Sequence, residues 1–305
     1  MISILITYFN EFELLKRCLE SINKQTLLPQ KVVVYDDKST NKLLVSDLPT
    51  YNFPIEIVNA EKNRGPAYGR NYLMNNCESE YFRFQDADDE LFEDAVFTIQ
   101  KSITTNNHPQ LVINEISSFN ENGTLNTENV IGLASLKEDL VGFSISNVLL
   151  IPSVTYKTSF ANSITGFKSR EELAQSEDSD FIRRLSLNCT SFAIVHQSIA
   201  KQNLRLHSHS HSNQNDVWIS GLKSLIEIKP FLDKKHKSAY ANRILFIAKQ
   251  LVSLKEFEHA KQAFKEFKKQ EVAYSEKNKT KLLLIKLLGY YNAEKIALVL
   301  RKNND

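Results

Sequence analysis

Apolar positions along the first ninety residues switch between two periods. Residues 2–7 form a short, largely apolar run, the pattern of a buried strand. Asn10 precedes Phe12, Leu14, Leu15, Cys18, Leu19 and Ile22, whose spacing predicts a helix with that asparagine as its cap. Residues 31–35 (KVVVY) predict a second buried strand, ending on Asp36-Asp37. A third is expected over 55–58, followed by a turn at Asn63-Arg64-Gly65-Pro66 and a helix over about 67–76. A fourth, over 81–85 (YFRFQ), ends on Asp86-Ala87-Asp88-Asp89. Strands alternating with helices of this length imply a parallel sheet with right-handed crossovers, which binds ligands at the carboxyl ends of its strands. Both acidic clusters fall at such ends.

From about residue 105 the rhythm changes. A strand over 111–116 and a turn at Asn120-Glu121-Asn122-Gly123 are followed by an irregular stretch up to Ser163. A helix is expected from Ser176 to about Leu187, a strand over 192–196, and a polar loop over 202–215. After Trp218 the pattern is helical: 241–254 and 256–269 suit an antiparallel pair, and 281–302 a last helix. The small-residue spacing between Ala248 and Phe264 resembles one tetratricopeptide unit, but a single copy does not make a repeat array.

Composition narrows the class without changing this layout. A chain of 305 residues, 42% hydrophobic and 24% charged, suits a globular protein of about two domains. No apolar run approaches the roughly 18 residues that cross a bilayer. The first seven residues lack a basic segment and a cleavage site, so they suit a strand better than a signal peptide. Three cysteines, Cys18, Cys77 and Cys189, have no metal-type spacing and fit a reducing cytoplasm. The net charge of +2 conceals an asymmetry: of 38 Lys and Arg and 36 Asp and Glu, residues 219–305 hold 19 and 9, which leaves 19 and 27 in 1–218. The basic tail suits an anionic surface, and a solvated basic helix face accounts for it equally well.

The chemistry concentrates at Asp86-X-Asp88, with Asp89 behind it. Clustered carboxylates at a strand end call for water, a cation or hydrogen-bond donors. Hard oxygens suit Mg²⁺ or Mn²⁺, commonly held by one or two carboxylates together with substrate phosphates. The same aspartates also read as the N-cap of a helix beginning near Leu91.

Four segments in order, Ser3-Ile4-Leu5-Ile6-Thr7-Tyr8-Phe9-Asn10, Val32 to Thr40 around Asp36-Asp37, Asn63 to Asn71 around Arg70, and Phe84-Gln85-Asp86-Ala87-Asp88-Asp89, resemble the family 2 glycosyltransferases of GT-A fold. The resemblance implies an α/β GT-A domain over 1–217, with a nucleotide-binding half over about 1–105 and an acceptor half over 106–217, followed by an α-helical domain over 218–305. It further implies that Thr7 and Phe9 contact uracil and ribose, with Phe9 stacked on the base, and that Asp36 accepts the uracil N3–H. By the same resemblance Arg70 reaches the base or diphosphate, Asp86 holds ribose or sugar hydroxyls, and Asp88 ligates the metal. Thr7-Tyr8-Phe9 stands where Pro-Thr-Tyr is commoner, and Lys38 where Gly or Asn is usual. Read without that frame, Phe9 suits a core aromatic and Arg70 a helix-surface ion pair.

Gly166-Phe167 and then Ser176-Glu177-Asp178-Ser179-Asp180 are similar to the family's later Glu-Asp motif. Asp178 matches the carboxylate that deprotonates the acceptor hydroxyl in inverting members, with Asp180 as the rival; an ordinary acidic helix start reads the same residues. Arg205-Leu206-His207 is similar to a loop where a basic group or a His closes over the diphosphate or completes the metal shell, which makes His207 a second candidate ligand. His209 and His211 share its alternation, the pattern of one strand face or of a solvated polar loop. No dinucleotide, Walker, nucleophile-elbow or nucleic-acid motif is present.

The expected activity is therefore metal-dependent, inverting transfer from a nucleotide sugar, most simply a UDP-sugar, to a hydroxyl of a glycan or lipid-linked glycan. The family context implies bacterial surface polysaccharide (lipopolysaccharide, capsule or teichoic-acid-like polymer) made at the cytoplasmic face. Lysines at 277, 279, 281, 286 and 295 among Leu282 to Leu288 suit an interfacial helix on anionic membrane, and a homodimer interface explains the apolar face as well. The competing readings are a non-catalytic nucleotide-sugar-binding module whose tail recruits a partner, and a nucleotidyltransferase. The latter wants a Gly- and basic-rich loop that residues 7–13 lack.

Overall fold

A computed structural model describes residues 1–205, 214–272 and 279–302. Nine strands form one sheet in the order β3-β2-β1-β4-β8-β6-β9-β5, with β7 paired to β6 outside this path. The first four, β1 (Ile2–Tyr8), β2 (Lys31–Asp36), β3 (Ile55–Asn59) and β4 (Tyr81–Asp86), are mutually parallel, as their apolar runs require. The register sets Thr7 opposite both Tyr35 and Asp86, and Tyr8 opposite Asp36, so the carboxyl ends of all three strands share one edge.

The second half of the sheet is mixed. β8 (Val154–Lys157) runs antiparallel to β4 and to β6 (Leu111–Phe119), while β9 (Phe192–Asn203) runs parallel to β6. The stretch expected to be irregular thus supplies β7 (Leu125–Thr127), a sheet-centre strand in β8, and helices α4 (Leu140–Ser146) and α5 (Thr158–Ala161). These elements are four to seven residues long or shorter, too brief for a periodicity to emerge.

Two local expectations are overturned in the first half. α1 (Phe12–Asn23) follows Glu11, and Asn10 adopts φ 62° instead of capping it. Asn10 Oδ1 accepts the Thr40 N–H at 2.8 Å and its own N–H reaches Ser39 Oγ, which ties the β1–α1 turn to the loop after β2. Nor do Asp88 and Asp89 cap a helix: Glu90–Leu91 form β5, paired with β9, and the next helix, α3 (Ala95–Thr105), begins after Asp94. α2 (Pro66–Asn75) and α6 (Glu177–Asn188) lie where the spacing puts them.

The remaining helices are α7 (Gln214–Ile228), α8 (Lys237–Ser253), α9 (Phe257–Lys268) and α10 (Lys279–Lys302), the last broken at Gly289, where φ is 77°. The expected cut after residue 217 falls inside α7, and the strand expected over 192–196 runs on to Asn203. Two cores result. One fills both faces of the sheet, and the other joins α7–α9 to Ile145 of α4, with Val141 and Leu187 packed against it. Among the described residues no helix is long and apolar enough to cross a membrane.

Candidate active site

The carboxyl ends of β1, β2 and β4 and the start of α6 surround one cleft. Its centre is Arg70, buried on α2. Nη1 donates to Glu177 Oε1 at 2.7 Å and Nη2 to Asp86 Oδ1 at 3.3 Å, and the guanidinium lies 5.7 Å from the Phe167 ring centroid. Burial opposes its charge, but Asp86, Glu177 and Asp178 outweigh that and raise its pKa. Arg70 is thus no helix-surface ion pair: it ties α2 to the helix that carries Asp178, 107 residues away in sequence for the Glu177 bond.

Below Arg70 lies an aromatic floor. Phe84, Phe167 and Phe181 pack in sequence at centroid distances of 5.5 and 4.2 Å, with Tyr156 6.2 Å from Phe181. Asn71 clamps the same region, donating from Nδ2 to the Phe167 carbonyl at 2.8 Å and accepting the Phe167 N–H at 2.7 Å. A Cβ on Gly166 would stand 2.2 Å from Asn71 Oδ1, so the position needs glycine.

The three acidic groups differ in their surroundings. Burial pushes the Asp86 carboxyl above the usual carboxylate range, against the pull of Arg70 and with the help of Asp88. Asp89 is buried, accepts the Asn203 N–H at 2.8 Å, and is pushed well up by burial and then by Asp86 and Asp88. Asp88 receives Arg205 Nη2 on Oδ2 at 2.6 Å, while its backbone carbonyl accepts from Arg17 Nη2 at 3.0 Å and Asn203 Nδ2 at 2.8 Å.

Asp178 is half-buried near the start of α6, and its Oδ1 accepts the Ser179 N–H at 2.6 Å. Burial, followed by the neighbouring Glu177 carboxylate, lifts its pKa to about 6 against the opposing Arg70 charge. The rival Asp180 has the opposite environment. Its side chain is fully buried, Oδ1 takes Lys168 Nζ at 3.1 Å and Oδ2 takes Arg184 Nε at 2.8 Å; burial is outweighed and its pKa is lowered. A carboxylate neutralised by two cations has no spare basicity for an acceptor hydroxyl.

Just beyond β1, Phe9 is 45% exposed, so it is open to solvent and not a core aromatic. Thr7 is half-buried beneath Gly69. Asp36 is buried and both its oxygens already accept backbone N–H groups, Oδ1 from Ser39 at 2.8 Å and Oδ2 from Leu43 at 3.0 Å. Each oxygen retains a second lone pair. Asp37 likewise accepts the Arg64 and Gly65 N–H groups at 2.9 and 2.7 Å, fixing the turn into α2. Between the loops Lys38 has φ 67°, which explains why residues tolerant of the left-handed region are usual there. The site therefore gathers Thr7, Phe9, Asp36, Arg70, Asp86, Asp88 and Asp178 on one edge. His207, His209 and His211 lie outside the described residues, as does Lys277. The sequence reading gave no role to Glu11, Asn71 or Glu177; Glu177 was visible as half of the acidic pair opening α6, whereas nothing local singles out the other two.

Among the described residues no three His, Cys, Asp or Glu side chains form a ready metal cage. A divalent ion held by Asp88 and by substrate phosphates fits this donor set, because such ions are commonly bound by few protein ligands.

The sequence profile described as glycosyl transferase family 2 matches residues 3–156, half of the chain. The chain belongs to that family. Among relatives, the teichoic acid poly(glycerol phosphate) polymerase of Staphylococcus epidermidis is 35% identical over 104 residues, covering 33% of this chain and 14% of the polymerase. The uncharacterized glycosyltransferase YwdF of Bacillus subtilis is 29% identical over 123 residues, 40% of this chain and 46% of that protein. The chain thus spans less than half the length of either relative. Among solved structures, S. aureus TarS 1–349 in complex with UDP-GlcNAc superposes with a TM-score of 0.68 at 20% identity, covering 97% of this chain and 88% of that one. That likeness establishes the GT-A fold and its helical continuation.

Proposed function

We propose that this protein transfers a sugar from a nucleotide sugar, a UDP-sugar by preference, to a hydroxyl of a glycan acceptor, with inversion, in the assembly of a bacterial surface polymer of the teichoic-acid kind. The observation that carries this reading is the convergence of Arg70, Asp86 and Asp178 on one cleft, with Asp178 held at a pKa of about 6. The teichoic-acid polymerase relative and the UDP-GlcNAc complex of TarS support the donor and polymer class.

In this mechanism the ionised Asp178 takes the proton of the acceptor hydroxyl. The oxygen attacks the anomeric carbon from the face opposite the diphosphate, and the carbon–oxygen bond to phosphate breaks in the same displacement. Burial raises the proton affinity of Asp178 while leaving it ionised at neutral pH, the balance general-base catalysis needs. Arg70 spaces Asp86, at the donor side, from Glu177 and Asp178, at the acceptor side. Phe9 stacks on the base, Thr7 lines the nucleoside pocket, and Asp36 accepts from the base through its remaining lone pairs. Asp88 would hold a divalent ion, Mn²⁺ or Mg²⁺, whose positive charge would offset the negative charge of the departing diphosphate.

The test is release of nucleoside diphosphate from a panel of nucleotide sugars with Mn²⁺, Mg²⁺ or EDTA, run beside Asp88→Ala. Metal-dependent release from one UDP-sugar, lost in the variant, is expected. Absence of binding and cleavage for every donor would overturn the reading in favour of a partner-recruiting module.

A further inference from the structure

Arg205 follows β9 and reaches back across the carboxyl edge of the sheet. Its Nη1 donates to Glu11 Oε1 at 2.5 Å, and its Nη2 to Glu11 Oε2 at 3.2 Å and to Asp88 Oδ2 at 2.6 Å. The carboxylate expected to hold the metal thus already carries a cation. A guanidinium and a divalent ion on one carboxylate repel each other, so they compete for it.

We propose that Arg205 is an exchangeable internal counter-ion that couples metal binding to diphosphate binding, with Glu11 as its anchor. When a divalent ion takes Asp88, Arg205 keeps the two oxygens of Glu11 and turns its freed Nη2 to the diphosphate. The backbone need not move. Arg17 and Asn203 hold the Asp88 carbonyl, and the Asn203 N–H holds Asp89, so only side chains change partners. Metal alone must displace Arg205 at a cost, whereas metal with diphosphate returns to Arg205 an anion in exchange for Asp88. The two ligands then bind as a cooperative pair. This inference rests on reading the cleft as a nucleotide-diphosphate and metal site.

The experiment is titration with Mn²⁺, followed by the electron paramagnetic resonance signal of the free ion, with and without UDP. Wild type is compared with Arg205→Gln, Arg205→Lys, Glu11→Gln and Arg17→Gln. Arg17 is the control because, among the described residues, it bonds the Asp88 carbonyl and pairs with Glu90, so its loss removes the same charge without touching the Asp88 carboxylate. Without nucleotide, Arg205→Gln is expected to bind Mn²⁺ about fivefold more tightly than wild type, the scale of one modest ion pair, and Arg17→Gln to change less. UDP should then tighten Mn²⁺ less in Arg205→Gln than in wild type, Arg205→Lys should restore most of the difference, and Glu11→Gln should weaken UDP in the presence of Mn²⁺. Equal tightening in the Arg205 and Arg17 variants, or no tightening in either, overturns the exchange. Wild type that binds neither Mn²⁺ nor UDP overturns the site reading instead.

Discussion

Asp178 and Asp180 stand two residues apart on one helix, and their surroundings push their proton affinities in opposite directions. Asp178→Asn keeps an oxygen to accept the Ser179 N–H and removes a carboxylate that its site holds at a raised proton affinity. Transfer is therefore expected to fall by at least about 100-fold, the usual contribution of a general base, while the thermal midpoint rises slightly. Asp180→Asn strips the shared partner from Lys168 and Arg184 in a fully buried position and should cost about 3–5 kcal/mol, seen as a lower denaturation midpoint. Rates and melting curves of the two variants together check the assignment. A pH dependence follows from the same group. Its folded pKa of about 6 lies above the unfolded value of about 4, so between those values the folded state holds a proton that the unfolded state has lost. Lowering the pH through this window removes Asp178's destabilising contribution, and below about 6 it also removes the base. Turnover should decline on that acid limb, and the limb should disappear from the residual activity of Asp178→Asn. Both aspartates were visible in the sequence as a pair of candidates; the choice between them was not, because Lys168 and the Thr165 and Gly166 carbonyls that orient Arg184 come from a separate loop.

At the scale of elements, the site depends on how closely α2 approaches the strand ends. A Cβ on Gly69 would lie 2.8 Å from Tyr35 Cδ1 and 2.9 Å from Thr7 Cγ2, both at the carboxyl ends of their strands. Gly69→Ala is therefore expected to push α2 outward, costing about 1–3 kcal/mol of stability and weakening UDP binding by displacing Arg70 and Thr7 together. Chemical denaturation and a UDP titration would measure the two effects. The strands β1–β4 and the helices α1, α2 and α6 were legible because each carries a run or a period of its own. The turn after β4 was not: Asp88 reads locally as a helix cap, and it is the pairing of Glu90–Leu91 with β9, more than a hundred residues on, that makes it a strand turn instead.

At the scale of the whole molecule, the helical region packs against α4 and α6. Val141, Ile145 and Leu187 enter the helical core, Ser224 of α7 accepts from the buried Arg183 at 3.1 Å, and Glu227 pairs with Lys168. Removal of residues 214–305 exposes these side chains and leaves Arg183 buried without that partner. The shortened protein is expected to lose its cooperative thermal transition, followed by circular dichroism, and not to retain a stable sheet. The charge asymmetry sets residues 219–305 apart from the rest, but a count of charges does not reveal that α7 packs with both.

The sequence by itself determined the parallel βαβ beginning, the helical end, and the short motifs at strand ends where chemistry gathers, because period and turn chemistry act over a few residues and are written in them. Tertiary structure alone decided which of the acidic residues are basic, which are neutralised and which share a cation. Those outcomes depend on burial and on partners such as Glu177 for Arg70 and Glu11 with Asp88 for Arg205, groups that lie about a hundred residues or more apart along the chain and meet only when the sheet closes.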